Sequence, residues 1–326
     1  MNTQRRFALC ALTALCLPSG AGAAPPFPAD RPVSMVVPFA PGGGTDILAR
    51  LVASKLGAQI RQTVVVDNKP GANGLLASQY VERAKPDGYT LMFGSSSTHV
   101  LSPMLSAKSE QMAQTRKNFE MVSIVAETPL VLAVNAKSEV RTLDQLLKAA
   151  QGRDLTFGTF GAGSSPHILG ELLAAKTSSR LLHVPYKGSS PAITELLGDH
   201  IDSVFLTVAA LSSHIDDKEV RALAVTGPRR VQTLPDVPTF KEAGVSGLED
   251  SGWFAMFAPA GTPLPIIETL HAAIASIMAA PDVQAKLVEL GLRGSSGTRA
   301  QETAVWERSI ASTKAILAQV KIDPNR

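Results

Sequence analysis

The strongest constraint on the fold of this 326-residue chain is an alternation of short β-rich runs with helical patterns. Residues 34–39, 63–66 and 89–94 read as strands, and between them 46–56 and 74–83 carry helical spacing. The first helical run places apolar residues at Ile47, Leu48, Leu51, Val52 and Leu56. The rhythm resumes with strands at 155–159, 181–186, 201–207 and 220–226, among helical patterns at 143–150, 167–176 and 191–197. Strand, helix, strand in this order predicts an α/β chain of parallel sheets with helices on both faces. The end is helical: 265–279, then 282–290 stopped by Gly291, then a helix towards Val320 opened by the capping-box spacing of Thr298 and Gln301. Residues 121–134 and 251–259 read as passages between domains. They divide the chain into a discontinuous first domain, 24–125 with 253–326, and an inserted second domain, 126–252.

The first residues predict export. Arg5 and Arg6 precede a short apolar run from Phe7 to Leu17, and Ala21-Gly22-Ala23 supplies small residues for cleavage near Ala23, so residues 1–23 read as a signal peptide. Both cysteines, Cys10 and Cys16, lie in that segment, so the mature chain is expected to hold neither a disulfide nor thiolate chemistry. Losing Arg5 and Arg6, with no acid in residues 1–23, lowers the formal charge from +3 to +1. A near-neutral protein offers no electrostatic case for nucleic acid or an acidic membrane surface. A periplasmic monomer with a core large enough for two domains is expected.

Three loops carry the candidate site. In Pro38-Phe39-Ala40-Pro41-Gly42-Gly43-Gly44-Thr45-Asp46, between a strand and a helix, the glycines let backbone N–H groups approach a ligand. The helix that follows begins with unpaired N–H groups and partial positive charge, which suits an anion. The ending of a nucleotide-binding P-loop is absent. Gly158-Thr159-Phe160-Gly161-Ala162-Gly163-Ser164-Ser165-Pro166-His167 has the same placement, and its third fingerprint glycine is missing, which excludes a dinucleotide motif. The third loop is Gly94-Ser95-Ser96-Ser97-Thr98. A ligand-free turn would use the same residue types at any one of them; three at carboxyl ends of strands point to a small-anion site.

Catalysis is not expected. No serine sits in a GxSxG elbow, and the six histidines form no HExxH and no cluster at metal-ligand spacing. An exported hydrolase using Ser164 or Ser165 is the reading kept from the enzyme class. No metal or cofactor is expected.

The chain resembles the Bug-type extracytoplasmic receptors, the substrate-binding proteins of tripartite tricarboxylate transporters. The resemblance rests on the 36–46 segment, Val66-Asp67-Asn68-Lys69-Pro70-Gly71-Ala72, Pro86-Asp87-Gly88-Tyr89-Thr90-Leu91, His183-Val184-Pro185-Tyr186-Lys187-Gly188, Leu223-Ala224-Val225-Thr226, Leu234-Pro235-Asp236-Val237-Pro238-Thr239 and Ala258-Pro259-Ala260-Gly261-Thr262-Pro263, in that order. It implies a type II periplasmic-binding-protein fold, two α/β domains with a ligand cleft between them. It further implies capture of a small carboxylate for delivery to membrane permease subunits; presentation to a membrane signalling protein is the alternative. By matched position the ligand-binding residues would be Phe39, Gly43, Thr45, Asp46, Ser95, Ser96, Gly163, Ser164, Ser165 and His167, with Thr207 where the family often has an amide. Leu206 stands where the family often has an acid, and Phe160 where a small residue is usual. Both departures predict a ligand whose far end is less polar than a di- or tricarboxylate.

Overall fold

The computed structural model describes residues 27–28, 31–105, 111–295 and 297–320, with the backbone alone for 111–114. The expected signal peptide lies outside the described residues. The chain opens with β1 (Val33–Val37), α1 (Gly44–Ile60), β2 (Val64–Asn68), a 3₁₀ turn at Ala72–Gly74, α2 (Leu75–Glu82) and β3 (Thr90–Ser95). A π turn at Ser97–Leu101, α3 (Ser102–Leu105) and α4 (Gln111–Asn118) lead into β4 (Phe119–Thr128). After Pro129 come β5 (Leu130–Asn135), α5 (Leu143–Gly152), β6 (Leu155–Thr159), α6 (Ser165–Thr177), β7 (Leu181–Pro185), α7 (Ser189–Leu197), β8 (Ser203–Thr207), α8 (Val208–Asp216) and β9 (Val220–Val225). The chain then returns through β10 (Gly252–Pro259), α9 (Leu264–Ala279), α10 (Pro281–Glu289), β11 (Arg293–Gly294) and α11 (Arg299–Leu317).

Two sheets result, in the orders β11-β4-β10-β3-β1-β2 and β7-β6-β8-β5-β9. They are mixed, not parallel as the alternation predicted. The outer trios β2-β1-β3 and β7-β6-β8 are parallel, whereas β10 runs against β3 and β4, and β5 against β8 and β9. The cause is the pair of crossings. A strand entering a domain from its neighbour starts where the parallel strands end, so β5 and β10 must run the other way. Consequently the loops after β1, β3, β6 and β8 all face the opposite domain, at the carboxyl strand ends where open α/β sheets bind ligands.

The inner strands of each sheet are covered on both faces, which is why β1 and β5 read as nearly continuous apolar runs, whereas the edge strands β2 and β7 are half-exposed. Along β1, Val33, Met35 and Val37 pack with Leu48 and Val52 of α1 and Ile274 of α9, while Val36 points to the cluster of Ala77, Met92 and Trp306. In the second domain Leu130, Leu132 and Phe157 join the Leu172 cluster, and Val131, Val204 and Leu206 join that of Ile193 and Leu211. Trp253 and Trp306 are both buried packing residues. Among the described residues no single helix is long and apolar enough to cross a membrane.

Helix α11 belongs to both halves. The Thr298 hydroxyl accepts the Gln301 N–H, and the Gln301 side chain accepts the Thr298 N–H at 2.9 Å, a complete capping box. Glu302, buried in the first turn, accepts the Ile124 N–H of β4 at 3.0 Å and the Ser123 hydroxyl at 3.2 Å. At the other end Ile316 and Val320 pack against the second domain's core. Replacing Glu302 by Leu strands the Ile124 N–H and is expected to cost about 1–3 kcal/mol. Glu302→Gln retains an acceptor and should cost less. Chemical denaturation of the two variants beside the parent checks the order.

Candidate ligand-binding cleft

The first loop is held by a buried carboxylate. Asp46 accepts the Gly42 N–H, the Arg50 Nε–H and the Asn68 amide, each at 2.9 Å, and Asn68 also donates to the Phe39 carbonyl at 3.0 Å. Burial alone would raise this carboxyl's pKa; the bonds from Arg50, Gly42 and Asn68 outweigh it and hold the pKa below its ordinary value. Asp46 therefore fixes the turn that the sequence reading assigned to ligand contact, and its oxygens face the protein. Thr45 is buried in the same helical turn.

Glycine at 42–44 serves contact between the domains. Gly42, at φ +83, adopts a left-handed conformation, and a Cβ there would lie 2.8 Å from Ser190 Oγ. A Cβ on Gly43 would touch Ser189, and one on Gly44 would collide with Thr207 Oγ1. Two hydrogen bonds cross at this point: Ser190 Oγ to the Pro41 carbonyl at 2.9 Å and Ala40 N–H to the Lys187 carbonyl at 3.2 Å. Thr207 also caps α8, its hydroxyl accepting the Ala210 N–H at 3.3 Å.

The facing loop ties itself together. The Ser164 hydroxyl, fully buried, donates to the Gly161 carbonyl at 2.6 Å, and the Gly163 N–H donates to His167 Nδ1 at 2.9 Å. That bond places the neutral ring's proton on Nε2, which lies 3.7 Å from Glu171. His167 stacks at 3.7 Å on His183, whose Nε2 is 2.7 Å from Thr159 Oγ1. Serine and histidine are thus each committed to loop backbone and not to each other, which removes the nucleophile–base pair a hydrolase needs.

Across the cleft, Ser97 Oγ and Ser165 Oγ are 2.9 Å apart and the Ser165 N–H donates to Ser97 Oγ at 3.0 Å. Phe39 meets Phe160 edge to face at 5.1 Å. The first turns of α1, α6 and α7 meet here with no side-chain cap on Gly43, Ser164 or Gly188. Their N–H groups and partial positive charge converge on one region.

Beside this contact lies an interdomain cavity of about 390 Å³, lined by Phe39, Asn73, Leu105, Phe160, Gly163 and Tyr186 among others. Hollows of about 640 and 770 Å³ lie on other faces, beside Tyr80 and beside Trp253, away from the facing helix ends. Ser96 and Ser165 line a separate space of about 40 Å³ with Asp250 and Ser251. Ser95 is buried with its hydroxyl unpartnered, and its N–H donates to Thr98 Oγ1 at 2.9 Å.

Of the residues expected from sequence, only Phe39 and Gly163 border the 390 Å³ cavity; Asp46, Ser164 and His167 hold their own loops, Thr207 caps α8, and Ser96 and Ser165 line the separate 40 Å³ space. Sequence reasoning missed Asn73, in the turn Gly71–Gly74. Asn73 (φ +46) follows Ala72 (φ +46), and both of its amide atoms are buried without a partner. Left-handed non-glycine residues cost of order 1–3 kcal/mol each and collect at functional sites. An Asn between two glycines, a residue tolerant of that conformation, was the available signal.

Two α/β domains joined by paired crossings, with helix ends facing each other, define a periplasmic-binding-protein fold. Residues 48–322 match the model of the tripartite tricarboxylate transporter family receptor. The chain belongs to that family, a family of solute-binding receptors and not of enzymes. It is similar to an R. palustris protein solved with adipate (32% identity, TM-score 0.86, covering 90% of this chain and 98% of that one). It is also similar to MatC from Rhodopseudomonas palustris with bound malate (29%, 0.83, 89% and 99%) and to the periplasmic binding protein BugD (30%, 0.83, 89% and 98%).

Two outcomes follow from this geometry. Asp46→Ala strands Arg50, Asn68 and the Gly42 N–H and should cost about 1–3 kcal/mol, read as a lowered melting temperature. The His183 pKa is pushed down to about 3 from 6.5, by burial first and then by His167. As pH falls below 6.5 the unfolded chain takes up this proton and the folded chain does not. The native state therefore loses up to about 1.4 kcal/mol per pH unit until the folded ring also titrates. Melting temperatures of His183→Gln between pH 7 and pH 4 should fall less steeply than those of the parent.

Proposed function

We propose that this chain is a periplasmic receptor that closes its two domains on a small carboxylate and delivers it to the membrane subunits of a tripartite transporter. The observation that carries the reading is the meeting of helix N-termini from the two domains, α1 of the first and α7 of the second, neither of them capped by a side chain, beside the start of α6, whose first N–H is held by Ser97. The N–H donors at the starts of α1 and α7 and the aligned dipoles of all three helices favour a carboxylate, and drawing them from both domains makes binding and closure one event. The adipate and malate seen in related structures agree with this chemistry. Delivery outside the cytoplasm is supported by the export pattern of residues 1–23 and by the family. The receptor acts as a monomer.

The cleft wall refines the ligand class. Phe39, Leu75, Leu105 and Phe160 line the cavity, so its wall is largely hydrocarbon, with polar side chains from Asn73, Ser102, Tyr186 and Lys187; Leu206 lies behind it, buried in the core and not facing the cleft as the sequence reading supposed. A carboxylate with a hydrophobic body fits it better than citrate, whose further charges would lose water without a partner.

A thermal-shift screen of the mature protein tests the reading. A ligand at one hundred times its Kd adds about 2.7 kcal/mol, a shift of a few degrees. Aliphatic or aromatic monocarboxylates should raise the midpoint and citrate should not; a screen in which no carboxylate does so overturns the proposal. Deleting the gene should abolish uptake of the bound acid, and intact uptake with a lost transcriptional response would assign the receptor to signalling instead.

A further inference from the structure

The two buried, unpartnered atoms of the Asn73 side chain lie against the facing loop of the second domain. A Cβ at Gly161 would sit 3.3 Å from Asn73 Oδ1, and one at Gly163 would sit 3.8 Å from Asn73 Nδ2. The two glycines therefore leave room for the amide without giving it a hydrogen bond. The left-handed backbone at Ala72 and Asn73 carries the side chain into this position, and Asn73 borders the 390 Å³ cavity with Phe39, Leu75, Leu105 and Phe160. An amide held there at the expense of both its hydrogen bonds is arranged for a partner that enters with the ligand.

We propose that Asn73 is the specificity-determining amide of the cleft. It selects carboxylates whose far end carries a neutral group that both donates and accepts a hydrogen bond, a hydroxyl or a primary amide, over those ending in hydrocarbon or in a second carboxylate. This rests on the carboxylate reading above. The argument is one of complementarity. Nδ2 needs an acceptor and Oδ1 needs a donor, and a hydroxyl or primary amide has both functions. A hydrocarbon end leaves both atoms unpaired. A second carboxylate satisfies Nδ2 only and turns an anionic oxygen towards Oδ1. The described lining holds no acid, and its cation, Lys187, is an exposed residue whose charge solvent screens. Sites built to hydrogen-bond a hydroxyl reject the analogue lacking it, because their own polar groups stay buried and unpaired.

Calorimetric titration of the purified mature protein tests this with two matched sets: hexanoate, 6-hydroxyhexanoate and adipate; benzoate, 4-hydroxybenzoate and terephthalate. In at least one set the hydroxy acid should bind roughly 10–100 times more tightly than its parent and than the dicarboxylate. Asn73→Gly keeps the left-handed turn accessible while removing the amide. It should bring hydroxy acid and parent to within about threefold of each other. Should that variant fail to fold, Asn73→Asp replaces it. It retains an acceptor for the ligand O–H, so it should keep a preference for the hydroxy acid over its parent while rejecting the dicarboxylate further. Equal binding of parent and hydroxy acid by the native protein, or a uniform loss across a set in Asn73→Gly, overturns the role of Asn73 and leaves carboxylate capture standing. Failure of every acid to bind overturns both readings.

Discussion

The geometry of the cleft depends on the buried carboxylate of Asp46. It gathers the Gly42 N–H at the turn, Arg50 one helical turn on, and Asn68 at the end of β2, and through Asn68 it reaches the carbonyl of Phe39. One side chain thereby sets the direction of α1, the end of β2 and the position of the aromatic ring that lines the cavity. A loop of three consecutive glycines would otherwise be among the most conformationally free segments of the chain. Held this way, it can bring bare backbone against Ser189, Ser190 and Thr207 of the other domain.

The second loop reaches the same end by different means. Ser164, His167 and Thr159 spend their polar atoms on loop backbone and on His183, the Ser165 N–H is held by Ser97 and Pro166 has none, so the start of α6 offers a ligand the helix dipole more than free side-chain donors. In both loops side chains do the shaping and the backbone is left to meet an anion. Recognition by main chain reads charge and shape poorly beyond the carboxylate itself. Selectivity then falls to the side chains that border the cavity, among them Phe39, Leu105, Phe160, Tyr186 and Asn73.

Much of the fold was legible because local signals agreed with tertiary demands. The strand Leu155–Thr159 and the capping box at Thr298 appear as the sequence predicts. What was not legible were strand directions and hydroxyl directions. Residues 121–134 and 251–259 read as passages between domains with no strand assigned to them, and they hold most of β4, β5 and β10; an apolar run buried on both faces has no periodicity to mark it. The three loops were found from glycine and hydroxyl content. Nothing in composition, however, says that Ser164 turns its oxygen to Gly161 while Ser165 turns to Ser97. Asp46 was assigned to ligand contact through the resemblance, and only its partners reveal that it faces inward. Asn73 escaped because its significance lies in the hydrogen bonds it does not make.

Helix α11 is fastened to β4 at one end and seated in the second domain's core at the other. It is a third tether beside the two strand crossings, and its Ser309, Thr313 and Ile316 line the small space they share with Ser96 and Ser165. Any hinge opening must draw Ile316 and Val320 out of that seat or flex the helix. The grip of a few apolar side chains near the carboxyl end thus helps set what fraction of empty receptors stands open, and apparent affinity scales with the competent fraction. Receptors sharing every ligand contact can therefore differ in sensitivity through drift at this seam alone.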